Sequence, residues 1–145
     1  MKIMLRNATR NDIKMTYEWR NDPRIRRWMF ASKQIPWDVH KKFWSARLKR
    51  KNAYSYIMQA DGKDCGVIRF DQNTMMRGYY EIDIYLAPAF QGKGIGTKIL
   101  GEVKKIARKK RMKGLTAIVK PDNKRSQKIF EKNGFKLRYQ YVYRL

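Results

Sequence analysis

Two acidic residues, Glu81 and Asp83, lie just ahead of a glycine-rich hexad, Gln91-Gly92-Lys93-Gly94-Ile95-Gly96, and together these residue types supply a base and an anion site. Before the hexad, Glu81-Ile82-Asp83-Ile84-Tyr85-Leu86 alternates polar and apolar positions and reads as a strand. Glu81, Asp83 and Tyr85 then share one face, opposite Ile82, Ile84 and Leu86. After the hexad, Ile99, Leu100, Val103, Ile106 and Ala107 recur at the spacing of one helical face between Thr97 and Arg111. A glycine turn joining a strand to a helix leaves backbone N–H groups without partners at the helix N-terminus, where the helix dipole is positive. The segment from Gln91 to Thr97 therefore suits an anion such as pyrophosphate, with glycines allowing close backbone approach.

Two other phosphate loops do not fit. A Walker-type loop needs Ser or Thr after its Gly-Lys, and here Gly94 follows Lys93. A dinucleotide fold wants Gly-x-Gly-x-x-Gly and an acidic residue about 20 residues on. In this chain the glycines alternate, and the next strand, Leu115 to Val119, runs into Lys120.

The hexad does match the GNAT signature of Gln or Arg, two residues, Gly, one residue, then Gly or Ala: Gln91, Gly94 and Gly96. A second block follows, with Pro121-Asp122-Asn123, Ser126, Phe130 and Asn133-Gly134-Phe135. The chain thus resembles the GNAT superfamily of acetyl-CoA-dependent N-acetyltransferases over residues 78 to 136. The resemblance implies acetyl-CoA as cosubstrate, with its pyrophosphate on Gln91, Gly92, Lys93, Gly94, Ile95, Gly96 and Thr97. It also implies pantetheine contacts from the backbone of Ile84 and Leu86, which a splayed strand leaves unpaired, and from Asn123, Ser126 and Phe130. Asn123 is equally suited to cap a helix. Lys93 and Lys128 are candidates for the terminal phosphates, although exposed lysines are usually uncommitted.

Acetyl transfer to an amine needs a neutral nucleophile, so something must take a proton from a group with a free pKa of about 10.4 if it is lysine-like. Glu81 is the first candidate base and Asp83 the second; both could instead pair with nearby Lys or Arg. For the donor to the departing thiolate, the family often has a tyrosine where this chain has Phe130. Ser126 is the substitute of choice, with Tyr139, Tyr141 and Tyr143 of the tail as others. Cys65, the single cysteine, has no histidine identified beside it, which favours direct transfer over a covalent intermediate.

A second resemblance concerns the acceptor. Trp19-Arg20-Asn21-Asp22-Pro23, then Arg26, Trp28, Ile35, His40 and Trp44, resembles the N-terminal pattern of amino-sugar N-acetyltransferases of the pseudaminic-acid pathway. It implies a nucleotide-linked amino sugar as acceptor, with Arg20, Asn21 and His40 lining a polar pocket. Arginine forks suit diphosphates, and tryptophans stack on rings or simply fill a core. The alternatives are a ribosomal-protein or peptide N-terminal acetyltransferase, or a non-catalytic domain binding acetyl-CoA or RNA.

The elements that must position these groups follow from patterning. Residues 1–7 read as a strand, Thr9 caps a helix ended by Asn21-Asp22-Pro23, and Pro36 opens a second helix carrying Phe43, Trp44 and Leu48. Residues 53–59 and 65–71 form a hairpin across Asp61-Gly62, and a tail at 136–144 reads as a further strand pair. The fold class is α/β (α+β): a single domain over 1–145 with a mixed, mostly antiparallel sheet and helices on both faces. The 145 residues and 43 % hydrophobic content fit one folded core without disulfides. No apolar run reaches a membrane span or a signal-peptide core, so a cytoplasmic monomer or homodimer is expected, without membrane. One histidine and one cysteine leave no metal-ligand set. The net charge of +23 reads first as a compositional bias with a solvated basic helix face, second as steering of anionic substrates. Nucleic acid is not an expected partner, since no binding motif accompanies the charge.

Overall fold

The computed structural model describes residues 1–139 and 143. Strand β1 (Ile3–Asn7) leads through a 3-10 turn into α1 (Ile13–Asn21), which stops where Asp22 becomes extended before Pro23. Asp22 then caps a one-turn helix α2 (Pro23–Arg26) by accepting from the Arg24 N–H at 2.9 Å. The chain then runs without regular structure to α3 (Trp37–Arg47).

Strands β2 (Ala53–Ala60) and β3 (Lys63–Gln72) form the expected hairpin. Its two turn residues, Asp61 (φ 48°) and Gly62 (φ 80°), are both left-handed, as a two-residue turn between right-twisted strands requires. Then come β4 (Tyr79–Leu86), α4 (Ile95–Lys109), a short β5 (Gly114–Thr116) and α5 (Lys124–Lys132). The sheet order is β1-β2-β3-β4-β5, antiparallel except for the parallel β4–β5 pair.

Period-two alternation divides the core in two. Ile57, Val67 and Tyr85 face Ile13 and Trp44 of α1 and α3. Met58, Ile68, Phe70 and Ile82 face Ile95, Ile99, Leu100 and Val103 of α4, with Phe130 of α5. Helices therefore cover both faces, as expected. Cys65 falls opposite the break in register at Met58/Gln59 and is fully buried against the α4 side. Burial pushes its thiol up to about 11, which keeps it protonated and unreactive.

One expectation is corrected. The strand expected at residues 115–119 is only Gly114–Thr116, and Ala117 to Val119 continue without pairing. The tail pair expected at 136–144 is irregular through Tyr139; Tyr141, with residues 140, 142, 144 and 145, lies outside the described residues.

Candidate active site

The short β5 is what opens the site. Pairing between β4 and β5 covers only Tyr79↔Gly114, Tyr80↔Leu115 and Glu81↔Thr116. On the other edge, β4 stays paired to β3 as far as Leu86↔Gly66, and Ala87 N–H donates to Cys65 O at 2.8 Å. Alternation along an antiparallel ladder then turns the N–H and C=O groups of Ile84 and Leu86 away from β3, toward the edge that β5 has left. β4 is thus open along this edge from Ile82 to Leu86, up to the glycine loop. Leu86 O, at its far end, accepts from Gln91 Nε2 at 3.2 Å, so the Gln91 side chain braces the strand end.

The loop itself depends on two left-handed glycines, Gly92 (φ 78°) and Gly94 (φ 76°), the latter capping α4. Those dihedrals aim successive N–H groups out of the helix N-terminus, the geometry of an anion cradle. Ile95 is fully buried and anchors the first turn, while Thr97 is exposed. Gly96 has a second part to play, in packing. A Cβ there would sit 3.2 Å from Ile129 Cδ1, so this glycine lets α4 close on α5. Lys93 lies over the Phe90 ring, its Nζ 5.5 Å from the centroid, and Lys128 is exposed. Sequence reasoning missed Arg125, whose Nη2 would be 3.1 Å from a Cβ on Gly92 and which therefore leans over the loop from α5. The only available signal was its place two residues after the capping asparagine.

On α5, Asn123 Oδ1 accepts from Ser126 N–H at 3.2 Å, the N-cap that was its alternative role. Ser126 is half-buried one turn into the helix. Phe130 is a core residue: 9 % exposed and edge-to-face with Phe135 at 5.0 Å, it packs with α4. Tyr139, expected as a possible donor, is 82 % exposed in an irregular segment, and Tyr143 is likewise exposed. Both side chains stand in solvent, and no described strand pairs there to fix them.

The opposite face of β4 carries the ionisable groups. Asp83 is ion-paired with Arg69, its direct cross-strand partner, so the alternative of a structural pair holds for this acid. Glu81, two residues earlier, is half-buried and has no ion-pair partner among the described residues. Burial, then the charges of Asp71 and Asp83, raise its pKa above the ordinary carboxylate value, with Arg69 opposing. Asp71, directly across from Glu81, is taken by Arg47 Nη1 at 2.6 Å. Arg47 is 1 % exposed and also donates to Ser55 Oγ, Tyr54 O and Phe70 O, which meets the cost of burying its charge.

Of the three expected acceptor residues, one remains at an open face. His40 is corrected: it is 4 % exposed, its Nε2 3.1 Å from Thr16 Oγ1 and 3.0 Å from Ile13 O. Its ring packs among Tyr17, Trp37 and Trp44, tying α3 to α1, and burial lowers its pKa. Asn21 is spent on Ile35, exchanging Nδ2–H···O (2.9 Å) and N–H···Oδ1 (2.8 Å) bonds that pin the α2–α3 connection. Arg20 Nη2 donates to Ala31 O at 2.6 Å, while its Nη1 is shielded and has no partner. Arg26 repeats the pattern, with Nη1 toward Ser32 O at 3.3 Å and Nε shielded and unpartnered. A groove of about 350 Å³ opens here between Pro23, Arg26, Arg27 and Ser32.

Comparison with known proteins agrees with this geometry. The model of the acetyltransferase (GNAT) domain family matches residues 2–136. Acetyltransferase PseH of Campylobacter jejuni is 30 % identical over 125 residues, 86 % of this chain and 76 % of that protein. Aminoglycoside N(6')-acetyltransferase type 1 of Klebsiella pneumoniae is 28 % identical over an alignment of 148 positions that covers 92 % of this chain and 73 % of that protein. The structure of AAC(6')-Ib in complex with ribostamycin and coenzyme A superposes with a TM-score of 0.84 at 23 % identity, covering 94 % of this chain and 84 % of that one. That last likeness is one of fold. With a family match over nearly its whole length, this chain belongs to the GNAT acetyltransferases and is an acetyl-CoA-dependent N-acetyltransferase.

Proposed function

We propose that the chain transfers acetyl directly to the primary amine of a nucleotide-linked amino sugar. The observation that carries this is a groove lined by Pro23, Arg26, Arg27 and Ser32, with the shielded, unpartnered Nε–H of Arg26 on it and a second such guanidinium N–H on Arg20 of α1. Buried donors normally find acceptors, and planar N–H groups of this kind match phosphate oxygens. The similarity to PseH points the same way. A polycationic acceptor such as an aminoglycoside fits poorly, because the groove and a net charge of +23 would repel it.

The coenzyme would lie along the open edge of β4, its pantetheine amides on Ile84 and Leu86 and its pyrophosphate on the amides from Gln91 to Thr97, with Arg125 at hand. That placement puts the thioester beside β4 and the acceptor on the side of Glu81, Asp83 and Tyr85. Glu81, the acid without a cation, takes the amine proton directly or through water. Ser126 is the candidate donor to the thiolate. The ordered approach of amine and thioester supplies much of the rate.

A second reading, acetylation of a peptide or ribosomal-protein N-terminus, is favoured by the inward turn of His40 and Asn21, which removes two of the three expected acceptor contacts. A thiol-release assay with acetyl-CoA and a panel of amines separates the two. The nucleotide-linked 4-amino sugar should give the highest kcat/KM, and Arg26→Gln should raise its KM without changing coenzyme affinity. A peptide as the best acceptor overturns the sugar reading.

A further inference from the structure

Three carboxylates crowd one patch of the acceptor-side sheet face. Asp71 on β3 stands directly across from Glu81 on β4, and Asp83 follows two residues along the same face. Two of them have dedicated cations. Asp71 is held by Arg47 at 2.6 Å, with Arg50 at 3.6 Å, both from the α3 end. Asp83 is held by Arg69, which also lies over the Phe43 ring with its guanidinium carbon 5.2 Å from the centroid. The remaining neighbour, Thr116 on β5 opposite Glu81, is uncharged and accepts from Asn73 Nδ2 at 3.0 Å. We propose that Arg47 and Arg69 are positioning residues for catalysis: by occupying Asp71 and Asp83 they leave Glu81 as the one acid of the three able to accept the substrate's proton. This rests on the reading of Glu81 as base.

The physical reason is that three acids this close do not behave alike. A paired carboxylate is stabilised as the anion and becomes a poor proton acceptor, while its residual negative charge still disfavours ionisation of a like-charged neighbour. Each cation is also fixed by groups other than its carboxylate: Arg47 by Ser55 Oγ, Tyr54 O and Phe70 O, and Arg69 by the Phe43 ring. The step served is simple. An ammonium N–H bond breaks and an O–H bond forms on Glu81; the freed nitrogen lone pair then forms a C–N bond at the thioester carbonyl, the C–S bond breaks, and the departing coenzyme A thiolate takes a proton from the donor side.

The test uses the full chain, selectively labelled with carboxyl-13C glutamate. The Glu81 signal is assigned by its loss in Glu81→Gln, and its titration is read beside the pH dependence of kcat/KM. Asp83→Asn removes a negative neighbour and leaves Arg69 without its carboxylate, so the Glu81 titration and the acid limb should both move down by about half a pH unit or more. Arg69→Gln frees the Asp83 charge and should move both up. Should Arg69→Gln alone not fold, the double variant Arg69→Gln/Asp83→Asn leaves no charge stranded and should move the titration less than Asp83→Asn does. A merely structural role would lower kcat in each variant without opposite displacements. If the Glu81 signal moves in opposite directions but the acid limb does not follow, the cation arrangement stands and the assignment of Glu81 as base falls. If the signal does not move, or moves the same way in both single variants, the proposal is overturned.

Discussion

Substituting alanine separately at Gly94 and Gly96 should separate coenzyme binding from helix packing. Gly94 has φ 76°, and a Cβ there meets nothing within 4 Å, so its cost in the free protein is backbone conformation alone. That is about 1 kcal/mol for an L-residue forced into the left-handed region, or a fall in Tm of about 2–4 °C for a chain of this size. With pyrophosphate on the loop as proposed, the same Cβ would stand where phosphate oxygens approach the N–H groups. Loss of one charge-assisted hydrogen bond there, about 1.5–3 kcal/mol, weakens binding roughly 10- to 100-fold. Gly96 has helical dihedrals, and its Cβ would meet the mobile end of Ile129 at 3.2 Å. A gain in helix propensity of up to about 1 kcal/mol should offset that close contact, leaving Tm within about 2 °C and coenzyme affinity unchanged. Calorimetric titration with coenzyme A, together with thermal melts, reads both quantities. Wild-type affinity in Gly94→Ala, or an equal loss in Gly96→Ala with the fold intact, would refute the assignment of the loop.

Other expectations follow from the buried ionisable groups. Folding raises the Glu81 pKa, so its favourable contribution exists below the unfolded value of about 4.3 and is lost as pH rises through the folded one. Glu81→Gln should therefore raise stability at pH 7 but not at pH 4 in urea melts, while turnover falls; a loss of stability at pH 7 would count against the burial described. For His40 the folded pKa is lowered, so its contribution is complete above about pH 6.5 and lost as pH falls through the folded value. His40→Gln should flatten that acid slope and leave the acceptor KM unchanged; a raised KM would return His40 to the acceptor site. Arg47→Met strips donors from Asp71, Ser55, Tyr54 O and Phe70 O and should cost about 3–5 kcal/mol in urea unfolding. A cost under about 1 kcal/mol would mean the network adds little.

Local chemistry carried most of the coenzyme half from sequence alone. Two left-handed glycines between an alternating strand and an apolar-striped helix leave little freedom in how the chain turns, and Gln91 to Thr97 emerged as a loop at the α4 N-terminus. The Asp61-Gly62 hairpin and the helix stop before Pro23 were legible for the same reason: each is fixed within four residues. What lay beyond that range was the direction of individual side chains. His40, Asn21 and Arg20 belong to one sequence pattern, yet the packing of α3 on α1 buries the first, the α2–α3 connection consumes the second, and only the third keeps a donor free. Phe130 and Gly96 went to the α4–α5 contact because two helices must close there. Likewise, which of Glu81 and Asp83 stays without a cation follows from strand register, which sets Arg69 across from Asp83 and Asp71 across from Glu81. Register and helix docking depend on contacts between residues distant in the chain, so the tertiary structure alone decided them.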